Sequence, residues 1–173
     1  ILAAGVKVGG ASSVLSSSPT ITTTQGVNGS STESAQVEFT AMSPGQTLTM
    51  AGLVFKAGSL GASAVQVAAA FAGISVVGTT ASSINTTKSL GDSAGGSFTS
   101  GSLLAWTSGV ASDSVVTFTS STSNANVTDL SLTQTAGTSD LLSFITSQIG
   151  ANGAINSQIQ NEVTEGNLLA KQQ

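Results

Sequence analysis

Cysteine and histidine are both absent from this 173-residue chain, and most familiar routes to chemistry go with them. No disulfide, thiolate metal site or cysteine nucleophile is possible. The commonest general base and the commonest metal ligand are missing as well. Tyrosine is absent too, and the four basic residues are all lysine: Lys7, Lys56, Lys88 and Lys171. Charge of either sign is scarce, at 7% of residues and a formal net charge of -4, whereas soluble domains carry about 25%. Four lysines cannot neutralise a run of phosphates, which argues against a nucleic-acid partner. Nor is there a polybasic segment to hold a membrane surface. The most apolar stretch, residues 62–77, is diluted by Ala and Gly and contains Gln66. It falls short of the ~20 apolar residues of a helical span, so no transmembrane segment is expected.

Hydroxyl groups supply the polarity that charge does not. Ser and Thr together number 53, and there are 20 Gly but only two Pro. With 39% hydrophobic residues the chain lacks the low-hydrophobicity, high-charge signature of disorder. Threonine suits exposed strand positions because its branched Cβ fits the pleat, and glycine supplies tight turns. The composition predicts a mainly β protein, and with the pattern along the chain the reading is α+β, mainly β: an antiparallel sheet or sandwich with one short internal helix and a helical C-terminal tail.

Three regions follow from the pattern along the chain. Residues 1–34 read as two short extended pieces and a linker, with Val6 and Val8 alternating around Lys7. Residues 35–137 form the β-rich domain. Val37, Phe39 and Ala41 alternate with polar neighbours as a half-buried strand does. Ser43-Pro44-Gly45-Gln46 carries Pro and Gly at the central positions of a type II turn. Apolar parity then switches between Leu48, Met50 and Leu53, Phe55, which calls for a bulge or a second tight turn at Gly52. Residues 63–73 predict the helix: Ser63 and Gln66 form a capping box, Val67, Phe71 and Ile74 share a face, and Gly73 closes the end. Residues 79–96 read as a polar loop. Phe98, Leu104 and Trp106 mark a further strand region, Val116 and Phe118 another, and residues 127–135 a last one. From residue 138 the texture changes to helix. Leu141, Ile145 and Ile149 recur every four residues, and Ile155, Ile159 and Val163 repeat that spacing after a Gly-rich break. The stripe is narrow, so it needs a surface to lie on.

Three blocks in order carry a family likeness: VEFTAMSPGQTLTMAGLVFKAG at residues 37–58, AVQVAAAFAG at 64–73 and VTFTSSTSNANVTDL at 116–130. This pattern resembles a repeat unit of large bacterial β-strand-repeat surface proteins, adhesin-like or S-layer-like. The resemblance spans residues 35–135. It implies an extracellular or cell-surface location, a building-block role and no catalysis, and it brings no functional residue with it. Such units come in long tandem arrays, whereas this chain has one unit followed by the helical tail. That departure favours a self-assembling subunit over an array spacer.

The residues themselves offer little to a catalyst. A Ser or Thr nucleophile needs a base, and no Ser-x-x-Lys occurs. A carboxylate pair for glycoside hydrolysis would draw on Glu33, Glu38, Asp92, Asp113, Asp129, Asp140, Glu162 and Glu165, most of which stand beside turns or caps. A single Trp leaves little aromatic platform for a sugar. No cofactor is expected; calcium is conceivable from dispersed loops, but residues 91–96 hold one acid where a calcium loop needs several. The triplets at Asn28, Asn85 and Asn126 match glycosylation sequons and point to exposed loops.

Self-association is the stronger expectation. Soluble β-proteins keep strand edges apart with Lys, Pro and other charges, yet residues 99–160 contain no Lys or Arg. The expected partners are copies of itself, along with other cell-surface or matrix components. The expected interface is Val6 and Val8, with residues 1–8 inserted as a strand into a neighbour, together with Leu141, Ile145, Ile149, Ile155 and Ile159 of the tail. The functional expectation is a subunit of an extracellular filament, sheath or S-layer. A ligand-binding adhesin module is the alternative.

Overall fold

Alternating apolar and hydroxyl side chains make this chain pair into sheets, and the computed structural model shows how. It describes residues 17–137 and 158–164. The first stretch belongs to a compact unit running from Ser12 to Gly137; residues 158–164 form a short helix in a second unit. Within the first unit the strands are β1 (Thr20–Thr24), β2 (Ser34–Glu38), β3 (Thr47–Met50), β4 (Leu53–Ala57), β5 (Gly96–Gly101), β6 (Trp106–Ser112), β7 (Val115–Ser120) and β8 (Leu132–Thr135). Helices α1 (Ala64–Phe71) and α2 (Ala81–Lys88) and a short 3-10 turn at Asp92–Ala94 lie between β4 and β5. The strands form two antiparallel four-stranded sheets, ordered β1-β2-β7-β6 and β5-β4-β3-β8. The fold is α+β and mainly β, as the composition predicts.

Both sheets contribute to one core. Ala35 and Val37 of β2, Val116 and Phe118 of β7, and Leu48, Met50, Leu53, Phe55 and Phe98 of the other sheet belong to a single buried cluster. Phe71, at the end of α1, is its hub. Its ring stacks on Phe39 at 5.3 Å and meets Phe98 edge-on at 4.9 Å, with Phe55 tilted at 6.0 Å. Each such aromatic pair adds about 0.5–1.5 kcal/mol beyond its buried area.

The turns follow from residue chemistry. Gly45 adopts φ +69° and Gln46 N–H donates to Ser43 O at 3.1 Å, which makes the type II turn the Pro-Gly pair demands. At the next reversal Ala51 (φ +49°) and Gly52 (φ +80°) are both left-handed, as in a type I′ hairpin. The loop has two residues, so Met50 pairs with Leu53 and Leu48 with Phe55. Facing residues then have opposite parity, which accounts for the switch read from the sequence: a second tight turn, not a bulge. Helix α1 carries both bonds of the Ser63/Gln66 capping box, and Gly73 just beyond it has φ +66°.

Four readings of the pattern change. Residues 79–96 are not a loop but contain α2, so the internal helices number two among the described residues. Phe98 and Trp106 lie on different strands of different sheets, and Leu104 between them is exposed. Of residues 127–135 only the last four form a strand. The unit begins ahead of residue 35, because β1 pairs with β2 in unbroken register from Thr20↔Glu38 to Thr24↔Ser34.

Candidate functional site

Four ionisable groups of the unit, Glu33, Lys88, Asp92 and Asp129, hold hydrogen bonds that tie its segments together. Among the described residues, no group of three or more His, Cys, Asp or Glu is placed to hold a metal ion, and no helix is long and apolar enough to cross a membrane. Asp92 accepts both the Ser59 hydroxyl at 2.5 Å and the Ser59 N–H at 2.8 Å. These two bonds hold its carboxyl below the usual carboxylate range. Asp129 accepts the Gln25 amide at 2.9 Å. Asp113 sits in the β6–β7 hairpin at φ +52°. Glu33 is fully buried, and its Oε2 accepts the Val127 N–H at 2.8 Å. It anchors the segment at residues 124–127 over the loop at residues 25–33. The same strap is held by Asn124 N–H on Thr32 Oγ1 at 3.0 Å and Asn126 N–H on Asn28 Oδ1 at 3.2 Å. Lys88 donates to the carbonyls of Ala69 and Ala72 at 2.9 and 2.5 Å, satisfying the open end of α1. Burial lowers its pKa.

The feature that sets this unit apart is how its sheets end. A sheet edge presents unpaired N–H and C=O groups that invite another strand. On the β5/β6 flank the chain covers those groups itself. The Asn85 side chain, from α2, donates to Phe98 O at 2.8 Å and accepts Phe98 N–H at 2.9 Å, occupying the β5 edge as a neighbouring strand would. On β6, Gly73 N–H donates to Gly109 O at 2.7 Å and Ser108 N–H donates to Ile74 O at 2.9 Å. Ser108 Oγ completes the seal by accepting Ile74 N–H at 2.9 Å and donating to Phe71 O at 2.6 Å. A bulge between Ser108 and Ala111 breaks the register of β6 and leaves Val110 86% exposed, a device that also discourages pairing.

Among the described residues, the opposite flank is bare. Strands β1 and β8 are its two edges. Side chains at both ends of β1 reach the β8 segment: Ser18 Oγ donates to Gln134 Oε1 at 3.1 Å, and Gln25 meets Asp129 as above. The two edges therefore run side by side. Both keep continuous register with their inner neighbours. Among the described residues, no backbone hydrogen bond reaches the outer edge of either strand. Neither strand contains a charged residue or a proline. The two charges in the described strands, Glu38 and Lys56, sit on the inner strands β2 and β4.

Of the interface residues read from the sequence, Val6, Val8, Leu141, Ile145, Ile149 and Ile155 lie outside the described residues. Ile159 is on the helix at residues 158–164, where it and Val163, four positions on, are each more than half exposed. Sequence reasoning missed Asn85, which it treated only as a sequon. The available signal was Thr80, whose hydroxyl accepts Ser83 N–H as the N-cap of α2, with Ala81 and Ile84 buried on one side. The Asn85 sequon is taken up by the fold, while Asn28 and Asn126 are exposed.

Comparison with family models, curated proteins and solved structures finds no match for this chain.

Proposed function

We propose that this chain is a non-enzymatic, extracellular structural subunit that self-assembles at a bacterial surface, as part of a filament, sheath or S-layer. One observation carries the reading: among the described residues, the fold covers its strand edges on one flank and leaves the other uncharged, regular and open. An edge without Lys, Pro or bulge has nothing to repel a second edge, and main-chain bonding across such an edge is a recurrent mode of association. The wider surface agrees. Hydroxyls take the place of charges over the chain, so contact desolvates few ions. The resemblance of residues 35–135 to surface-protein repeats supports the location.

The test is the full-length protein, followed by sedimentation and electron microscopy across a concentration series in physiological salt. Ordered polymers are expected. The paired substitutions Thr22→Lys and Thr133→Lys, both at exposed edge positions, are expected to leave the melting temperature nearly unchanged and to abolish assembly. A wild-type chain that remains a dispersed monomer at every concentration overturns the proposal, and affinity of that monomer for a glycan or matrix component would place it among adhesins instead.

A further inference from the structure

Resting on that reading, we infer that the first contact of the assembly is between two copies of β1, paired antiparallel about a two-fold axis at Thr22. Of the four sheet edges, β5 and β6 are closed by Asn85 and by Gly73 and Ile74. On the open flank β8 has four residues against five in β1, and its Gln134 and Thr135 side chains already bond to Ser18 and Thr47. Strand β1 is the longer, unbulged edge, and its outer face is threonine at positions 20, 22 and 24, all exposed.

Antiparallel strands place directly opposed residues on the same face. Only an even register keeps the exposed threonines opposite one another and the half-buried Ile21 and Thr23 on the core side. Full overlap sets Thr22 opposite Thr22, Thr20 opposite Thr24 and Ile21 opposite Thr23. Cross-strand threonine pairs are favourable, and no like charges meet. The occupant is a second copy because the edge is self-complementary: it is uncharged along its length and carries the same residues outward on both sides of the axis. A two-strand contact alone falls below the ~1,000 Å² of a stable interface. The remaining area falls to the β8 segment, which Ser18 and Gln25 tie to β1. Such a contact is isologous and closes as a dimer, so longer polymers need a second surface.

The absence of cysteine makes the test clean. Single Thr22→Cys, Thr20→Cys, Thr24→Cys and Ser100→Cys variants of the full chain are oxidised at a concentration where the wild type associates. Thr22→Cys is expected to give a majority of covalent dimer. Thr20→Cys and Thr24→Cys are expected to cross-link to each other when mixed, at least about fivefold more than either alone. Ser100→Cys, on the capped β5 edge, is expected to stay monomeric. If the wild type associates while Thr22→Cys cross-links no better than Ser100→Cys, the β1 pairing is wrong and the self-assembly reading survives. If Thr22→Cys instead cross-links to a Val6→Cys copy, the N-terminal segment is the occupant and the two-fold pairing is overturned. A chain that never associates removes both.

Discussion

Asn85 does for Phe98 what a neighbouring strand would do: one amide side chain takes both the N–H and the C=O that Phe98 turns outward from β5. The arrangement places a helix residue in the role of a sheet edge. It makes the two flanks of the unit unequal, because β1 on the far side has no such cover among the described residues.

Substitution of Asn85 tests this directly. Asn85→Ala should destabilise the domain by about 1–3 kcal/mol, the usual loss when partnered groups are left unsatisfied. Asn85→Asp retains an acceptor for the Phe98 N–H but sets a carboxylate against the Phe98 carbonyl, so it should be no better. Both variants should also gain association through β5, visible as dimers that the Thr22→Lys and Thr133→Lys changes do not remove. Chemical denaturation and light scattering on the same samples read both effects.

Assembly should be nearly indifferent to ionic strength. The proposed edges hold no charge, so screening has little to act on. Raising salt from about 0.05 M to about 0.5 M should shift the association midpoint by less than about threefold. A loss of tenfold or more would mean that ion pairs hold the assembly.

Glu33 is expected to matter for its acceptor rather than for its charge. Glu33→Gln keeps an oxygen for the Val127 N–H and removes a buried carboxylate whose Oε1 has no hydrogen-bond partner among the described residues; stability should stay within about 1 kcal/mol of wild type or rise. Glu33→Ala should lose about 1–3 kcal/mol by orphaning that N–H. Gly26→Ala should be worse than either, since its Cβ would lie 1.8 Å from the Ala125 carbonyl oxygen. Thermal melts of the three variants rank them.

The pH profile of stability should bend only toward its extremes. No residue type in the chain ordinarily titrates between about pH 6 and 8, because histidine and cysteine are absent. Asp92 titrates below 3.8 in the folded state; its contribution is present above that value and disappears as pH falls through the lowered pKa. Ser59→Ala should return Asp92 toward 3.8, as read by carboxyl NMR titration. Lys88 releases its proton below 10.5 when folded. Its protonated form therefore lowers stability at neutral pH, and stability recovers as pH climbs from the lowered value toward 10.5. Lys88→Met should remove that alkaline rise.

Much of the sheet structure was legible because its signals are local. Val37, Val116 and Phe118 alternate with polar residues and are fully buried, Pro44-Gly45 makes its turn, and Ser63 with Gln66 caps α1 as the spacing predicts. Helix α2 was not legible, since ASSINTTK is built from residues that compete with helix by bonding their own backbone. Contact with β5 overrides that preference: Ala81 and Ile84 bury there and Asn85 latches to Phe98. The interface residues assigned to the termini fall mostly beyond the described part of the chain, and only the exposed Ile159 can be placed.

The amino-acid sequence alone determined that this protein would be a hydroxyl-faced β-structure without thiol or imidazole groups, because composition and two-residue periodicity act through neighbours along the chain. Only the tertiary structure decided which strand edges stay open. Whether an edge is covered depends on groups far away in sequence, such as Asn85 reaching Phe98 or Gly73 reaching Gly109, and no local pattern encodes a hydrogen bond between segments that meet only after the core has closed.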